Sequence, residues 1–410
     1  MSVDAAAEAD DLVAAVEAAV AQAFGDLRRT VQRNLAVLTV AFLRVLGAAR
    51  SGHGRLSLGA LFRVLPTEGT AHAREKRLRR FLENPRLDPR GVTNGLARVI
   101  FGERGTGLWP LLLDQTAAGP TQALLAGVPF EGRTLPLAVY TFTYPWEEGA
   151  ALSQNQLERV FLLDVEASLP AGVTAVWIGD RAYARAALLR QSLSEQRLWI
   201  IRGRAGTCVE YDGCRQKLGD RPATPHAVRY RRVLYQLHTR VPVDVIALHN
   251  PAFQEPWWLL VPPDSDTILP TALVVQLYRE RMQVEHTFRD FKTHLGLRGL
   301  ALRVRIADRT GRLLLAFCLA YVLALVLGRD PIATTARRDL EIPRRRARHG
   351  TRRTLSVLSI ALQMLAHPRW QRRALAALRR IIDRITDRRP ALRQPPQDLA
   401  ARLSAVAHPT

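Results

Sequence analysis

Apolar positions change their rhythm along the 410 residues of the chain, and the changes mark its organisation. Residues 1–26 are Ala-rich with apolar positions at helical spacing, which predicts an amphipathic helix. Residues 27–100 keep the helical period, including Leu56-Ser57-Leu58 and the stretch Leu61 to Leu65. Near residue 106 the runs shorten. Trp109-Pro110-Leu111-Leu112-Leu113 is an apolar run that ends in Asp114. Leu124–Val128 and Leu135–Phe142 read as strands around the turn Glu131-Gly132-Arg133. A helix over Ser153–Ala167 leads to a second apolar strand, Thr174–Gly179, which ends in Asp180. A helix over Ala184–Glu195 and a strand over Arg197–Arg202 follow.

From residue 204 to 265 no long helical period occurs, and Tyr230–His238, Val241–His249 and Trp257–Val261 carry strand-forming residues. This predicts a β-rich insertion. Residues 270–293 return to helix. Leu313–Leu327 is the longest apolar run, and fifteen residues fall short of the roughly 20 that span a bilayer, so a buried helix is expected. Beyond it Arg329–Arg389 holds 17 arginines against five acids. The expected organisation is an acidic helix (1–26), a helical domain (27–105), a core in two parts (106–203 and 266–328) around the insertion (204–265), and a basic helical region (329–410).

Charge narrows the partner. The chain holds 59 basic and 37 acidic residues, a net of +22. Six of the acids lie in residues 1–26, which contain no base, so the remainder carries 59 basic against 31 acidic residues, a net of +28. Such an excess repels itself unless a polyanion neutralises it, and nucleic acid is the default partner. An anionic membrane surface fits less well, because no spanning or lipidation signal accompanies the charge. Only Lys76, Lys217 and Lys292 are lysines. Arg74, Arg77 and Arg80 recur at helical spacing, so their guanidinium groups share a face that suits phosphate contact or simple solvation. Cys208, Cys214 and Cys318 form no disulfide framework, and the spacing of the first two matches no common zinc finger. No signal peptide is apparent, and a cytoplasmic, nucleoid-associated protein is expected.

The candidate chemistry lies in the acids that end apolar runs. A strand-end carboxylate stands at the rim of a sheet, where ligands and metals collect, although a single such aspartate is more simply a turn or cap residue. Tyr278, Arg281, Glu285 and Lys292 are spaced by three, four and seven residues, which would align them on one helix stripe. An ion-pair ladder would give the same spacing. In company with Asp114 and Asp180 the pattern resembles a known family. Tyr-x2-Arg-x3-Glu-x6-Lys is the signature of bacterial insertion-sequence DDE transposases of the insertion-sequence-four family. Leu-Leu-Leu-Asp114-Gln-Thr and Ile-Gly-Asp180-Arg-Ala-Tyr resemble its two aspartate motifs, with Ala182-Tyr183 departing from the more familiar Gly-Phe.

The resemblance implies an α/β protein whose RNase H-like core is interrupted by a β-rich insertion and flanked by helical regions. It implies Asp114, Asp180 and Glu285 as catalytic and metal-holding carboxylates for two Mg²⁺ ions, with Mn²⁺ able to substitute. Tyr278, Arg281 and Lys292 would grip DNA phosphates, and a homodimer would bridge two transposon ends. Arg77, Arg80, Arg202 and Arg298 are further candidate DNA contacts, with Arg204, Arg303 and Arg305 behind them. Trp257 and Trp258 are candidates for stacking on a base, against the plainer reading of sheet packing. Trp146 and Trp177 read as core. A non-enzymatic DNA-binding relative and an RNase H-like nuclease of repair remain the alternatives.

Overall fold

A computed structural model describes residues 3–50, 57–88, 93–102, 106–118, 121–144, 152–251, 254–294, 306–347 and 351–387. Arg298, Arg303, Arg305 and Trp146 lie outside the described residues. The described residues form an α/β protein built on one ten-stranded mixed sheet, with helices contributed from both ends of the chain.

The sheet begins with three long strands, β1 (Thr106–Ala118), β2 (Thr121–Phe130) and β3 (Arg133–Thr143). β2 runs antiparallel to both neighbours. The β2–β3 turn is tight: Glu131 has φ 50° and Gly132 φ 77°, the left-handed pair that a two-residue hairpin of matching twist needs. α6 (Gln154–Ser168) starts at Ser153, whose side chain accepts from the Gln156 amide while Gln156 accepts from the Ser153 amide. It leads into β4 (Gly172–Gly179), which pairs parallel with β1, and α7 (Ala186–Ser194) leads into β5 (Leu198–Arg202), parallel to β4. The order β3-β2-β1-β4-β5 with one antiparallel member is consistent with an RNase H-like core.

The stretch read as a β-rich insertion does not make a sheet of its own. β6 (Cys208–Tyr211), β7 (Cys214–Lys217), β8 (Val228–Tyr235), β9 (Val241–Leu248) and β10 (Trp257–Val261) extend the same sheet, joined through the antiparallel pair β10–β5. A bulge on β8 between Tyr230 and Val233 turns the Arg232 amide onto the buried Asp244, whose other oxygen takes Arg229. Arg229 also donates to the Leu269 carbonyl and the Ser265 hydroxyl. These bonds fix where the next helix, α8 (Thr271–Glu280), begins.

The other helices cluster about one element. α10 (Ala307–Arg329) is apolar along its length and its side chains from Thr310 to Gly328 are buried. By length and composition alone it could cross a membrane, yet its most apolar window is wholly covered by protein. α10 packs on β3 and on α2 (Arg29–Arg50), α4 (Ala71–Leu82), α12 (Val357–Ala366) and α13 (Pro368–Thr386). The expectation of a buried helix over Leu313–Leu327 therefore agrees with the structure. α1 (Val3–Ala23) lies on α2 and α13, with Leu12, Val16, Ala19 and Val20 buried. Asp11 meets Arg379 at 2.8 Å and Asp26 approaches Arg98 at 3.8 Å. The acidic N-terminal helix is thus folded against the basic remainder by apolar packing, with exposed ion pairs adding little. α3 (Leu58–Val64) packs on α2 and α4, α5 (Thr93–Phe101) on β3 and α6, and α11 (Pro331–Leu340) on α12.

Candidate active site

Asp114 and Asp180 are brought together by the parallel ladder between β1 and β4. The last pair in register is Leu113 with Gly179, so the two aspartates are the next residues on adjacent strands. The apolar residues before them, Leu111–Leu113 and Val176–Ile178, are buried and carry the acids to the sheet rim. One detail differs from the sequence reading. β1 does not end at Asp114 but continues to Ala118, paired with β2 as far as Thr121. Asp114 thus stands where the parallel ladder stops and the antiparallel one goes on.

Glu285 comes from α9 (Met282–Arg289). The helical pattern expected over 270–293 is met, with a change of hydrogen bonding at Arg281 and a π turn at the end. α8 ends at Arg281, α9 follows, and Asp290–His294 form a π-helical turn. Along this helical stretch Tyr278 is buried, Arg281 bonds Glu285 four residues on, Glu285 is 42 % exposed, and Lys292 sits half-buried on the π turn.

Arg281 joins the acids. Its guanidinium bonds to Glu285 on one side and stands 3.7 Å from Asp114 on the other. It is only 12 % exposed. Burial opposes its charge, but Tyr278, Glu285 and Asp114 outweigh that and hold its pKa above the ordinary value. The Asp114 carboxyl is pushed up to about 6, first by burial and then by Asp180 and Glu285, against a backbone bond from Gln115 and the charge of Arg281. Burial, more than the like charges of Asp180 and Glu285, is what opposes ionisation of Asp114 at this rim.

Asp114 and Asp180 follow adjacent paired residues, Glu285 is linked to Asp114 through Arg281, and carboxylate oxygens of this kind are the donors a hard ion such as Mg²⁺ prefers. Among the described residues, however, no three His, Cys, Asp or Glu side chains stand close enough to hold one ion together. The side chain between Asp114 and Glu285 is the cation Arg281.

Several neighbours were not singled out from the sequence. Glu158 on α6 is buried, is paired with Arg185 and accepts from Gln154 at 3.0 Å. Tyr183 is wholly buried, and its hydroxyl has no hydrogen-bond partner among the described residues. Burial first, then the charges of Asp114, Glu158 and Asp180, raise its pKa far above the ordinary range. The sequence signal was its place three residues after Asp180, where the departure from Phe adds a hydroxyl. Glu255 takes both Arg181 and Arg202 at 2.8 Å, which puts Arg202 on the Asp180 side of the sheet.

The two tryptophans part company, because successive strand residues face opposite sides. Trp257 packs edge-on against Tyr278 with centroids 4.9 Å apart and is partly exposed. Trp258 is buried in the core, so it offers no open face to a base, and that expectation is corrected. Trp177 is core as expected, with its indole N–H donating to Glu166. Arg77 and Arg80 lie on α4, remote in sequence from the carboxylates, and line a cleft with α2.

A comparison with curated proteins found no match. Residues 155–323, which contain Asp180 and Glu285 and the elements from α6 into α10, match the family model described as the transposase DDE domain, and this supports a transposase of the DDE class.

Proposed function

We propose that the chain is a DNA transposase that cleaves DNA at transposon ends and joins the freed ends to target DNA. The observation that carries this reading is the adjacency of Asp114 and Asp180 on parallel strands, linked to Glu285 through one guanidinium. Asp114, Asp180 and Glu285 are the residues that would hold the divalent ions, Mg²⁺ or Mn²⁺. When bound, these supply a polarised nucleophile and charge for the leaving oxygen of an in-line phosphoryl displacement.

The chain's own residues do the rest. Arg281 sits against Asp114 and Glu285 and has a planar fork that can turn to a DNA phosphate. The Tyr278 phenol stays protonated, because burial raises its pKa more than Arg281 and Arg202 lower it, so it acts as a donor. Arg202 reaches the same rim and trades Glu255 for phosphate. Lys292 is a further phosphate contact, and Trp257 offers its exposed edge to an unpaired base. The membership in the insertion-sequence-four family, the homodimer across two ends and the domain boundaries named above belong to the same proposal.

The test uses a labelled duplex that carries the inverted repeats flanking the gene. With Mg²⁺ the wild type cuts at the repeat end, while Asp114→Ala, Asp180→Ala and Glu285→Ala bind the duplex and do not cut. A wild type that binds but cuts no more than Asp180→Ala makes the chain a non-enzymatic DNA-binding relative. A precut end is then offered with plasmid. Joined product identifies a transposase, and hydrolysis alone identifies a nuclease.

A further inference from the structure

The carboxylate rim holds a cation of its own, and that cation stands between two of the acids. Arg281 Nη2 donates to Glu285 Oε1, and Arg281 Nη1 stands 3.7 Å from Asp114 Oδ2. The Arg281 side chain is 12 % exposed and that of Asp114 16 %, so their contact lies inside the rim and not on its surface. The other oxygen of Asp114 is already engaged, because Oδ1 accepts from the Gln115 amide at 2.8 Å. The Asp114 oxygen that is not bonded to backbone thus faces the guanidinium, and so does one oxygen of Glu285. Tyr278, Glu285 and Asp114 together hold the Arg281 charge in place against burial. The outer side is open: Glu285 is 42 % exposed, and Met282, next to Arg281, is 46 % exposed.

We propose that Arg281 is an autoinhibitory plug that keeps divalent ions out of the carboxylate site until a DNA phosphate draws its guanidinium away, so that DNA binds before the ions. The proposal rests on the reading of Asp114, Asp180 and Glu285 as the ion-holding acids and of DNA as substrate, and it adds the order in which the two are taken up. A hard divalent ion needs oxygen atoms roughly 2.0–2.1 Å away on several sides. A guanidinium nitrogen bonded to one of those oxygens occupies the same space. Positive charges brought this close also repel, most strongly where little water intervenes. Arg281 gives up two carboxylates at small cost only when another anion receives it. A phosphate does so with the same planar fork, because it presents two oxygens as a carboxylate does. The exposed side at Met282 and Glu285 lets a DNA backbone reach the guanidinium from outside. Because Arg281 and the ions compete for the same acids, whatever withdraws Arg281 tightens ion binding. By reciprocity the ions tighten DNA binding by the same factor. The carboxylates are then armed only where substrate is already seated.

Mn²⁺ binding to the full-length protein is measured from the signal of the free ion, without DNA and with a precut transposon-end duplex, which cannot be cut again. In wild type the duplex tightens Mn²⁺ binding by about tenfold, and Mn²⁺ tightens duplex binding equally. Arg281→Ala tightens Mn²⁺ binding to the DNA-free protein by about tenfold and loses most of the coupling, although its duplex affinity falls with the lost phosphate contact. Arg281→Met keeps most of the aliphatic stem and repeats both changes, which guards against a folding defect in the alanine variant. Arg181→Ala is the control for charge alone. It removes a cation beside Asp180 that pairs with Glu255 at 2.8 Å, and it leaves DNA-free Mn²⁺ binding close to wild type. DNA-free Mn²⁺ binding that is no tighter in either Arg281 variant than in Arg181→Ala overturns the proposal. So does a duplex that tightens Mn²⁺ binding equally in wild type and in both Arg281 variants, which is the field of the DNA and nothing more. Asp180→Ala separates this from the reading of the site. Mn²⁺ uptake lost in Asp180→Ala, with coupling unchanged by the Arg281 variants, keeps the carboxylate site and removes the plug. Uptake that survives Asp180→Ala with and without DNA removes both.

Discussion

Asp114 occupies a position where burial and like charge both oppose ionisation, and its carboxyl is pushed up to about 6 from an ordinary 3.8. The sign comes from proton linkage. Below the unfolded-state value both states keep the proton, and the site costs nothing. As pH rises toward 6 the unfolded chain ionises more readily than the folded one, so stability is lost, and above it the loss is complete. A gap of about two pH units corresponds to roughly 3 kcal/mol at most. Asp114→Asn removes the charge and keeps the shape. The metal-free variant is expected to be more stable than wild type by roughly 1–3 kcal/mol in weakly alkaline buffer and equal to it in acid, while it loses all cleavage. Denaturant melts at both pH values check this, and a variant less stable at alkaline pH contradicts it. Arg281→Ala should do the opposite by leaving Asp114 and Glu285 without their shared cation. Because Glu285 is well exposed, the expected loss is only about 1–2 kcal/mol. Mg²⁺ should raise the melting temperature of this variant more than that of wild type. At this scale Asp114 and Asp180 were legible because each follows an apolar run, and Glu285 because of its spacing from Tyr278, Arg281 and Lys292. Glu158, Tyr183 and Glu255 were not, because their neighbours come from distant elements that only the ladder and α6 assemble.

Glu285 stays near the strand ends because its helix is clamped by the β2–β3 hairpin. Arg133, just past the turn, pairs with Asp290, which also accepts from the Tyr321 hydroxyl at 2.9 Å. The Thr134 amide donates to the Thr287 hydroxyl at 2.8 Å, and His286 meets the Gly132 carbonyl at 3.1 Å. α9 is thereby held to β3 at its centre and its end, and to α10 behind it. Asp290 is 3 % exposed and Arg133 18 %, so removing one partner strands a charge in the interior. Asp290→Ala is expected to cost about 3 kcal/mol and to lower cleavage along with stability. Tyr321→Phe removes one hydrogen bond and should cost about 1 kcal/mol. Melts of both variants rank them, and the reverse order would reject the clamp. Strong strands and helices were readable from period alone. The hairpin β6–β7 was not, because its strands are four residues each and β7, Cys-Arg-Gln-Lys, carries no apolar alternation. The break at Arg281 and the π turn escaped because every residue there is compatible with an ordinary helix, and the deviation arises from what the helix packs against. The turn at Glu131–Gly132 was legible, but its grip on α9 was not.

The whole molecule is organised around α10, which the matched segment enters and the flanking helices cover. Residues 155–323 hold Asp180 and Glu285 but neither Asp114 nor α2, α12 and α13, whose side chains shield α10 from water. A fragment spanning residues 106–328 would expose this apolar helix and is expected to aggregate where the full chain stays dispersed, as light scattering would reveal. The contact at the end of α10 gives a finer test. Gly328 lies in the last turn, and a Cβ placed there would stand 2.0 Å from the Val357 carbonyl oxygen, at the start of α12. Replacing a helical glycine by alanine ordinarily stabilises by roughly 0.5–1 kcal/mol. Here the obstacle is backbone, which cannot rotate aside, so α12 must shift away from α10 at a cost of about 1–3 kcal/mol. The second effect exceeds the first, and Gly328→Ala should lower the melting temperature even though it improves helix propensity. Because the residue is far in sequence from the carboxylates, cleavage measured well below the melt should survive. A rise in melting temperature would mean that α10 and α12 are not packed this closely in solution.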